Sequence, residues 1–241
     1  MHHVTLDGWS HGESVLHRRD ARVKVLALGA FLIAVSTLDS RQQMALVACG
    51  ALLAAGLLAS RLPTGAVLAR AMVVLPFSGA FAIFSALAGQ PERALVLVEK
   101  SYLSACAVLL VAGTTPLTKL MGALESLYVP RFVVLVVQFI YRYLFVISEQ
   151  AQHMRMAAAS RGAGSARGGK GRFRAAAGAL AVLFARSQAR AEAVYRAMAA
   201  RGFSGRIPQL STPHLHLADV IFLMVAAGAV VLIRIAAEVL L

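Results

Sequence analysis

Long apolar runs alternate with short polar segments along this chain. Six runs are candidates for membrane spans: residues 23–38, 44–59, 71–88, 101–115, 132–148 and 220–241. A bilayer core about 30 Å thick takes roughly 20 helical residues, each of which rises about 1.5 Å. The first two runs are shorter than that, but Arg22 and Arg61 flank them, and the stems of such side chains reach towards the membrane surface. The pattern predicts an all-α integral membrane protein.

Composition supports this prediction. Of the 241 residues, 59% are hydrophobic and only 15% are charged, which is more apolar surface than one soluble core buries. The same figures exclude disorder and a coiled coil, and they disfavour an ordinary soluble enzyme. Cys49 and Cys106 both lie inside apolar runs, where a thiol behaves as a small hydrophobic side chain rather than as a metal ligand or a nucleophile.

The distribution of Lys and Arg predicts how the chain is oriented. Arg18, Arg19, Arg22 and Lys24 precede or open the first run, whereas the next short connection holds only Arg41. Short loops on the cytoplasmic side of a membrane carry the excess of basic residues. We therefore expect a cytoplasmic N-terminal segment over residues 1–22. A bundle of four spans over residues 23–115 would then return the chain to the cytoplasm.

The charge that follows the fifth run conflicts with a membrane crossing by that run. The chain has a net charge of +13, and residues 149–216 hold eleven Lys and Arg side chains against two Glu. If residues 132–148 crossed the membrane, this charge would lie outside the cell, against the positive-inside tendency. We therefore expect five transmembrane helices, or six if residues 132–148 do cross as an ordinary span. In the first case one helix over residues 131–161 runs from the inner leaflet into the cytoplasm.

Two cytoplasmic helices are predicted to end in the same way. Five glycines interrupt residues 162–171, and an amphipathic helix follows over residues 175–201. The first helix ends in small residues, then Arg161 and Gly162, and the second ends in small residues, then Arg201 and Gly202. A glycine permits a left-handed cap, and an arginine beside it complements the negative end of the helix dipole and can reach a carboxylate. An Arg-Gly pair is also a common helix stop, but two copies on consecutive helices favour a shared role.

The residues and motifs described so far resemble one family, the T component, or Q subunit, of energy-coupling factor transporters. The resemblance is carried by short segments spread over most of the chain: Asp20-Ala21-Arg22-Val23-Lys24, Thr114-Thr115-Pro116, Ala123-Leu124-Glu125, Pro130, Tyr141-Arg142-Tyr143, Glu149 and the two Arg-Gly ends. The opening Val4-Thr5-Leu6-Asp7-Gly8-Trp9-Ser10 resembles the cobalt-type branch, CbiQ.

The resemblance implies a membrane scaffold that carries cytoplasmic coupling helices. Its partners would be the lipid membrane, two ABC ATPase subunits and a CbiM-like, substrate-capturing S-type membrane subunit. In the family, two Ala-Arg-Gly helix ends dock into grooves of the ATPases. The matching segments, taken with one preceding residue, are Ala159, Ser160, Arg161 and Gly162, and then Ala199, Ala200, Arg201 and Gly202, with Ser160 in place of the usual alanine.

The expected activity is mechanical rather than catalytic. The chain lacks a phosphate-binding loop, so ATP and Mg²⁺ would be bound by the partner subunits and no cofactor by this chain. We expect it to pass ATP-driven motion to the capturing subunit during cobalt uptake. The same scaffold serves nickel and vitamin systems, and a stand-alone carrier is a weaker alternative. Nucleic-acid binding is disfavoured because few aromatic residues accompany the basic charge.

Further expectations concern contacts and location. The candidates for touching the capturing subunit come from a short helix over residues 116–129 and from the fifth run, and they are chosen for position and apolarity: Leu120, Leu124, Leu127, Phe132, Leu135, Phe139 and Tyr143. We expect a multi-pass protein of the inner or plasma membrane. Residues 116–217 form its cytoplasmic coupling module, and residues 218–241 form its last span. The N-terminal His2, His3, His11 and His17 are interpreted as part of a solvated tail, so no metal site is assigned.

Overall fold

The computed structural model describes residues 9, 12, 14–39, 42–162, 169–205 and 216–239. Within these residues the regular structure is helical, with no strand. The chain divides into two units, Met1–Leu127 with Ser211–Leu241, and Tyr128–Leu210.

The first unit is a bundle of helices. Its helices are α1 (Ala21–Thr37), α2 (Gln43–Ser60), α3 (Thr64–Ala71), a 3₁₀ turn (Met72–Val74), α4 (Leu75–Leu87), α5 (Pro91–Thr114), α6 (Leu117–Ser126) and, from the far end of the chain, α9 (Leu217–Val239). Helix α1 packs against α5 and α9, and α2 packs against the same two helices. Helices α3 and α4 pack against α5, and α6 packs against α1.

Local sequence explains several of the helix boundaries. Asp20 caps α1, since its carboxylate accepts a 2.8 Å hydrogen bond from the backbone N–H of Arg22. Pro91 opens α5, where a missing N–H costs nothing. Helix α6 is shorter than the expected 116–129, because Leu127 has already left the helical conformation and Tyr128 adopts a positive φ of 65°.

The core of the first unit contains both cysteines. Cys49 and Cys106 are 0% and 1% exposed, and they share an apolar cluster with Val35, Leu46 and Val67. This burial confirms that the two thiols act as small hydrophobic side chains. The same unit holds the N-terminal segment in place: the Asp219 carboxylate at the start of α9 accepts a 3.3 Å hydrogen bond from the backbone N–H of Asp20.

Five helical segments among the described residues have the length and apolarity of a membrane span: Gln43–Ser60, Thr64–Leu87, Pro91–Thr114, Arg131–Ser160 and Leu217–Glu238. The number of these segments matches the five transmembrane helices that the sequence predicts. The set differs, because Arg131–Ser160 is included and α1 is not. Helix α1 is one turn shorter than a standard span, at 17 residues. The long helix from Arg131 qualifies, like the other four segments, by its length and composition. That this helix does not cross the membrane stays a prediction.

The second unit consists of two long helices, α7 (Arg131–Ser160) and α8 (Gly169–Ala200), which pack against each other. Helix α7 runs without a break, as the absence of Pro and Gly between Arg131 and Arg161 predicts. Helix α8 begins at Gly169, six residues before the expected start, so its first turn contains residues from the end of the glycine-rich segment. The rest of that segment, residues 163–168, lies outside the described residues.

The predicted apolar face of α8 splits into two neighbouring stripes. Its half-buried members are Leu183, Ser187, Val194 and Met198. Its exposed members include Leu180, Phe184 and Tyr195, which leave 66–74% of their surface uncovered. Only part of the predicted face is therefore buried within this chain.

Candidate functional site

The end of α7 is slender and capped by glycine. The last residues before Arg161 are three alanines and Ser160, and the Ser160 hydroxyl donates a 3.0 Å hydrogen bond back to the carbonyl of Ala157. Gly162 has a φ of +76°, and its N–H donates to the carbonyl of Ala159 at 3.0 Å. The serine that replaces the usual alanine therefore folds its hydroxyl onto the helix, and the tip stays narrow.

The end of α8 has the same construction, with one further hydrogen bond. Gly202 has a φ of +73°, and its N–H donates to the carbonyl of Ala199 at 3.0 Å. The N–H of Phe203 reaches back to the carbonyl of Met198, also at 3.0 Å. These two bonds form a Schellman motif, the left-handed helix stop that glycine favours. The predicted left-handed caps are thus confirmed at both helix ends.

Backbone conformation, rather than lack of space, is the reason for glycine at the second end. A Cβ atom built on Gly202 would meet no heavy atom within 4 Å. Its positive φ is nevertheless a conformation that costs other L-residues about 1–2 kcal/mol.

Both arginines are presented to the surroundings. All eight residues of the two ends, 159–162 and 199–202, are exposed. Neither guanidinium forms an ion pair with another described residue. Each arginine directly follows the last helical residue, at the end of the helix where the dipole is negative. The arrangement is suited to insertion of a narrow, positively charged tip into an acidic groove.

The second predicted set is distributed over both units. Leu120 and Leu124 lie on α6 and Leu127 follows it, all three half-buried, in the first unit. Phe132, Leu135, Phe139 and Tyr143 lie on α7 in the second unit, where only Phe132 is strongly exposed, at 76%. The rings of Phe139 and Tyr143 stack with their centroids 6.3 Å apart. A contact role for this set stays a prediction.

Lys24 has a position that the sequence did not predict. It is 3% exposed, and its ammonium donates hydrogen bonds to the carbonyl of Thr114 at 2.9 Å and to the hydroxyl of Thr115 at 3.0 Å. Pro116, rather than either threonine, occupies the N-cap position of α6. The sequence contains one signal of this contact, which is a single lysine near the start of a predicted span. An isolated charge at that depth requires a partner.

His17 also differs from its interpretation as part of a solvated tail. It is half-buried, with ring nitrogens 2.7 Å from the Ser14 hydroxyl and 2.9 Å from the carbonyl of Trp9. The aromatic ring of Trp9 in turn lies under the Arg70 guanidinium, whose carbon is 3.9 Å from the ring centroid. His2, His3 and His11 lie outside the described residues.

Comparison with known protein families decides the relationship. The family model CbiQ, described as a cobalt transport protein, matches residues 12–213. The chain belongs to the CbiQ family. The match includes both Arg-Gly helix ends and all seven residues of the second predicted set. Membership confirms the resemblance and, together with the five apolar helices, makes the chain a multi-pass membrane protein of cobalt transport. No protein of curated function matches the chain.

Proposed function

We propose that this CbiQ-family chain is the scaffold and coupling subunit of an energy-coupling factor importer for cobalt. Two ABC ATPase subunits would bind its two Arg-Gly ends, and a CbiM-like S-type membrane subunit would capture the ion. The observation that supports this proposal is the matching construction of the two ends: Gly162 and Gly202 have φ values of +76° and +73°, each after an exposed arginine. A helix stop with no further role requires neither repetition nor exposure.

The long helices fit a mechanical role. Helix α7 has 30 residues and α8 has 32, which correspond to lengths of about 45 Å and 48 Å. A continuous hydrogen-bonded helix transmits a displacement along its axis rather than absorbing it. ATP-driven closure of the ATPases would move both tips, and the helices would carry that motion towards the membrane subunit that holds the ion.

The location of each part follows from the charge pattern. The N-terminus and residues 116–217 would lie in the cytoplasm, where the ATPases bind ATP and Mg²⁺. The protein would reside in the inner or plasma membrane. Residues 132–148 would remain on the cytoplasmic side or in a protein interface. The exposed Phe132 ring would face the capturing subunit, as would the other predicted contact residues of α6 and of α7.

Charge reversal at the two tips tests this proposal. Arg161→Glu and Arg201→Glu each place a negative charge against an acidic groove and against the negative end of the helix dipole. Arg155→Glu on α7 and Arg196→Glu on α8 are matched controls, since both side chains are exposed on the same helices but precede the tips. The measurements are the amount of ATPase that copurifies in detergent and the ATP-dependent uptake of radioactive Co²⁺ by cells.

The tip variants are expected to lose at least about tenfold in ATPase recovery or in uptake, because a repulsive charge pair replaces an attractive one. The control variants should remain close to wild type. Wild-type recovery and uptake in both tip variants would contradict the coupling role. Loss of uptake to the same extent in tips and controls would contradict it as well, because the effect would then belong to charge in general.

A further inference from the structure

A cavity of about 280 Å³ lies inside the first unit. Its walls are formed by α1, α2, α5 and α9 near the end of the bundle where α1 begins and α5 finishes. Along α1 the wall extends from Lys24 to Phe31, and along α5 from Thr114 back to Ala107. Seven helical residues correspond to about 10 Å, so the cavity is elongated along the helix axes.

Small side chains create this space. Six of the lining residues are alanine or glycine: Ala27, Ala55, Gly56, Ala59, Ala107 and Ala226. Their short side chains leave room where leucines would fill the bundle. Such a void is unfavourable when empty, because its walls lose their packing contacts.

The lining is almost entirely apolar. Among the described residues that line it, Lys24 and Thr114 are the only polar side chains, and they lie together at one end. There the Lys24 ammonium is already bonded to the carbonyl of Thr114 and to Thr115. Apolar cavities of roughly 150 Å³ stay dry and take up small hydrocarbons, so a larger one of this character has no use for water.

The cavity opens sideways between two membrane-embedded helices. Ala55 and Ala59 of α2 and Val225 of α9 line it and are themselves exposed. Both helices are of the length and apolarity that span a membrane. The material outside this opening is therefore lipid hydrocarbon, and an elongated apolar slot accepts a chain end-on.

We propose that this cavity binds one acyl chain of a membrane lipid as part of the bundle core. The head group stays outside, because the buried ammonium of Lys24 is already occupied by bonds within the protein. The bound chain fills the space left by the six small residues. This inference is independent of the coupling role, since it concerns the first unit alone.

Photochemical labelling of the full chain tests the proposal. The protein is placed in nanodiscs of phosphatidylethanolamine and phosphatidylglycerol that contain phosphatidylglycerol with a diazirine on one acyl chain. Lipids around the protein label its outer surface, but label on Phe31, Leu53 or Ala107 reports the cavity, since these lining residues are at most 8% exposed. Mass spectrometry of peptides locates the label.

Two filling variants and a neighbouring control make the experiment specific. Ala55→Phe and Ala226→Phe each place a ring in the cavity from a different helix. Ala54→Phe adds the same ring at an exposed α2 position that is not part of the lining. The ring takes up volume that the acyl chain would fill, so the chain is excluded by steric overlap and stays in the bilayer. The filling variants should therefore lose most of the label on the buried lining residues, while Ala54→Phe should keep it.

The labelling results either support or overturn an acyl chain in the cavity. Loss of buried label in either filling variant that elutes as a folded monodisperse protein, with its retention in Ala54→Phe, supports an acyl chain in the cavity. Absence of label on Phe31, Leu53 and Ala107 in the wild type overturns the proposal. Equal labelling of these residues in Ala54→Phe and in a folded filling variant overturns it too.

Discussion

The Lys24 ammonium at the start of α1 donates a 2.9 Å hydrogen bond to the carbonyl of Thr114 at the end of α5. A second lysine repeats this arrangement in the opposite direction. Lys100 of α5 donates hydrogen bonds to the carbonyls of Ser36 and Leu38, where α1 ends. The two helices therefore run antiparallel, and a lysine of each satisfies carbonyls that the other helix leaves free at its C-terminal end.

Removal of the first lysine is expected to destabilise the bundle. In Lys24→Met the carbonyl of Thr114 and the hydroxyl of Thr115, both buried, lose their donor, which costs about 1–3 kcal/mol. The measurement is unfolding of the detergent-solubilised protein by SDS, followed by circular dichroism. Lys119→Met removes an exposed lysine of α6 whose positive charge repels that of Lys24, so this variant should be no less stable than wild type. Equal stability of Lys24→Met and wild type would show that these bonds contribute nothing.

The two lysines are expected to act independently. Thirteen residues separate Lys24 from the end of α1 at Thr37, a distance of about 20 Å along the helix. Sites more than 10 Å apart without shared partners have additive effects within about 0.5 kcal/mol. The free energies lost in Lys24→Met and Lys100→Met should therefore sum to the loss in the double variant. A shortfall of more than about 1 kcal/mol would indicate that the two ends are coupled.

The helix-tip glycine is expected to matter for binding rather than for the fold. In Gly202→Ala the free tip can relax out of the left-handed conformation, so binding has to restore the positive φ at a cost of about 1 kcal/mol, which corresponds to roughly fivefold in ATPase affinity. Gly205→Ala is the matched control, since Gly205 has a φ of +83° and open space around it but lies beyond the tip. Copurification of the ATPase subunits compares the two. A similar loss in both variants would assign the effect to strain alone.

The sidedness of the second unit is open to chemical labelling. Ser204→Cys introduces an exposed thiol shortly after α8, whereas the natural Cys49 and Cys106 are buried and leave the wild type as a blank. A membrane-impermeant maleimide should label this thiol in inverted vesicles and not in intact cells. Labelling in intact cells would place the second unit outside and make Arg131–Ser160 an ordinary span.

Features set by local sequence could be predicted, and those set by distant contacts could not. The apolar runs and the Arg-Gly pairs predicted the helices and their left-handed ends, because length, apolarity and glycine are local properties. The partner of Lys24 could not be predicted, since Thr114 is 90 residues away and only the packing of α1 against α5 joins them. His17 was misinterpreted for the same reason: its contacts with Ser14 and Trp9 depend on a fold of the N-terminal segment.

Cross-linking from the two helix tips tests the central proposal most directly. A photoreactive amino acid replaces Ser160 and, in a second variant, Ala200, and irradiation follows in membranes that contain the whole transporter. Exposed Gln152 of α7 and Gln188 of α8 are the control positions, two or more turns before the tips. We predict that both tips form covalent products with the ATPase subunits and that the control positions do not. Absence of ATPase products from both tips, in membranes where uptake is active, would contradict the account.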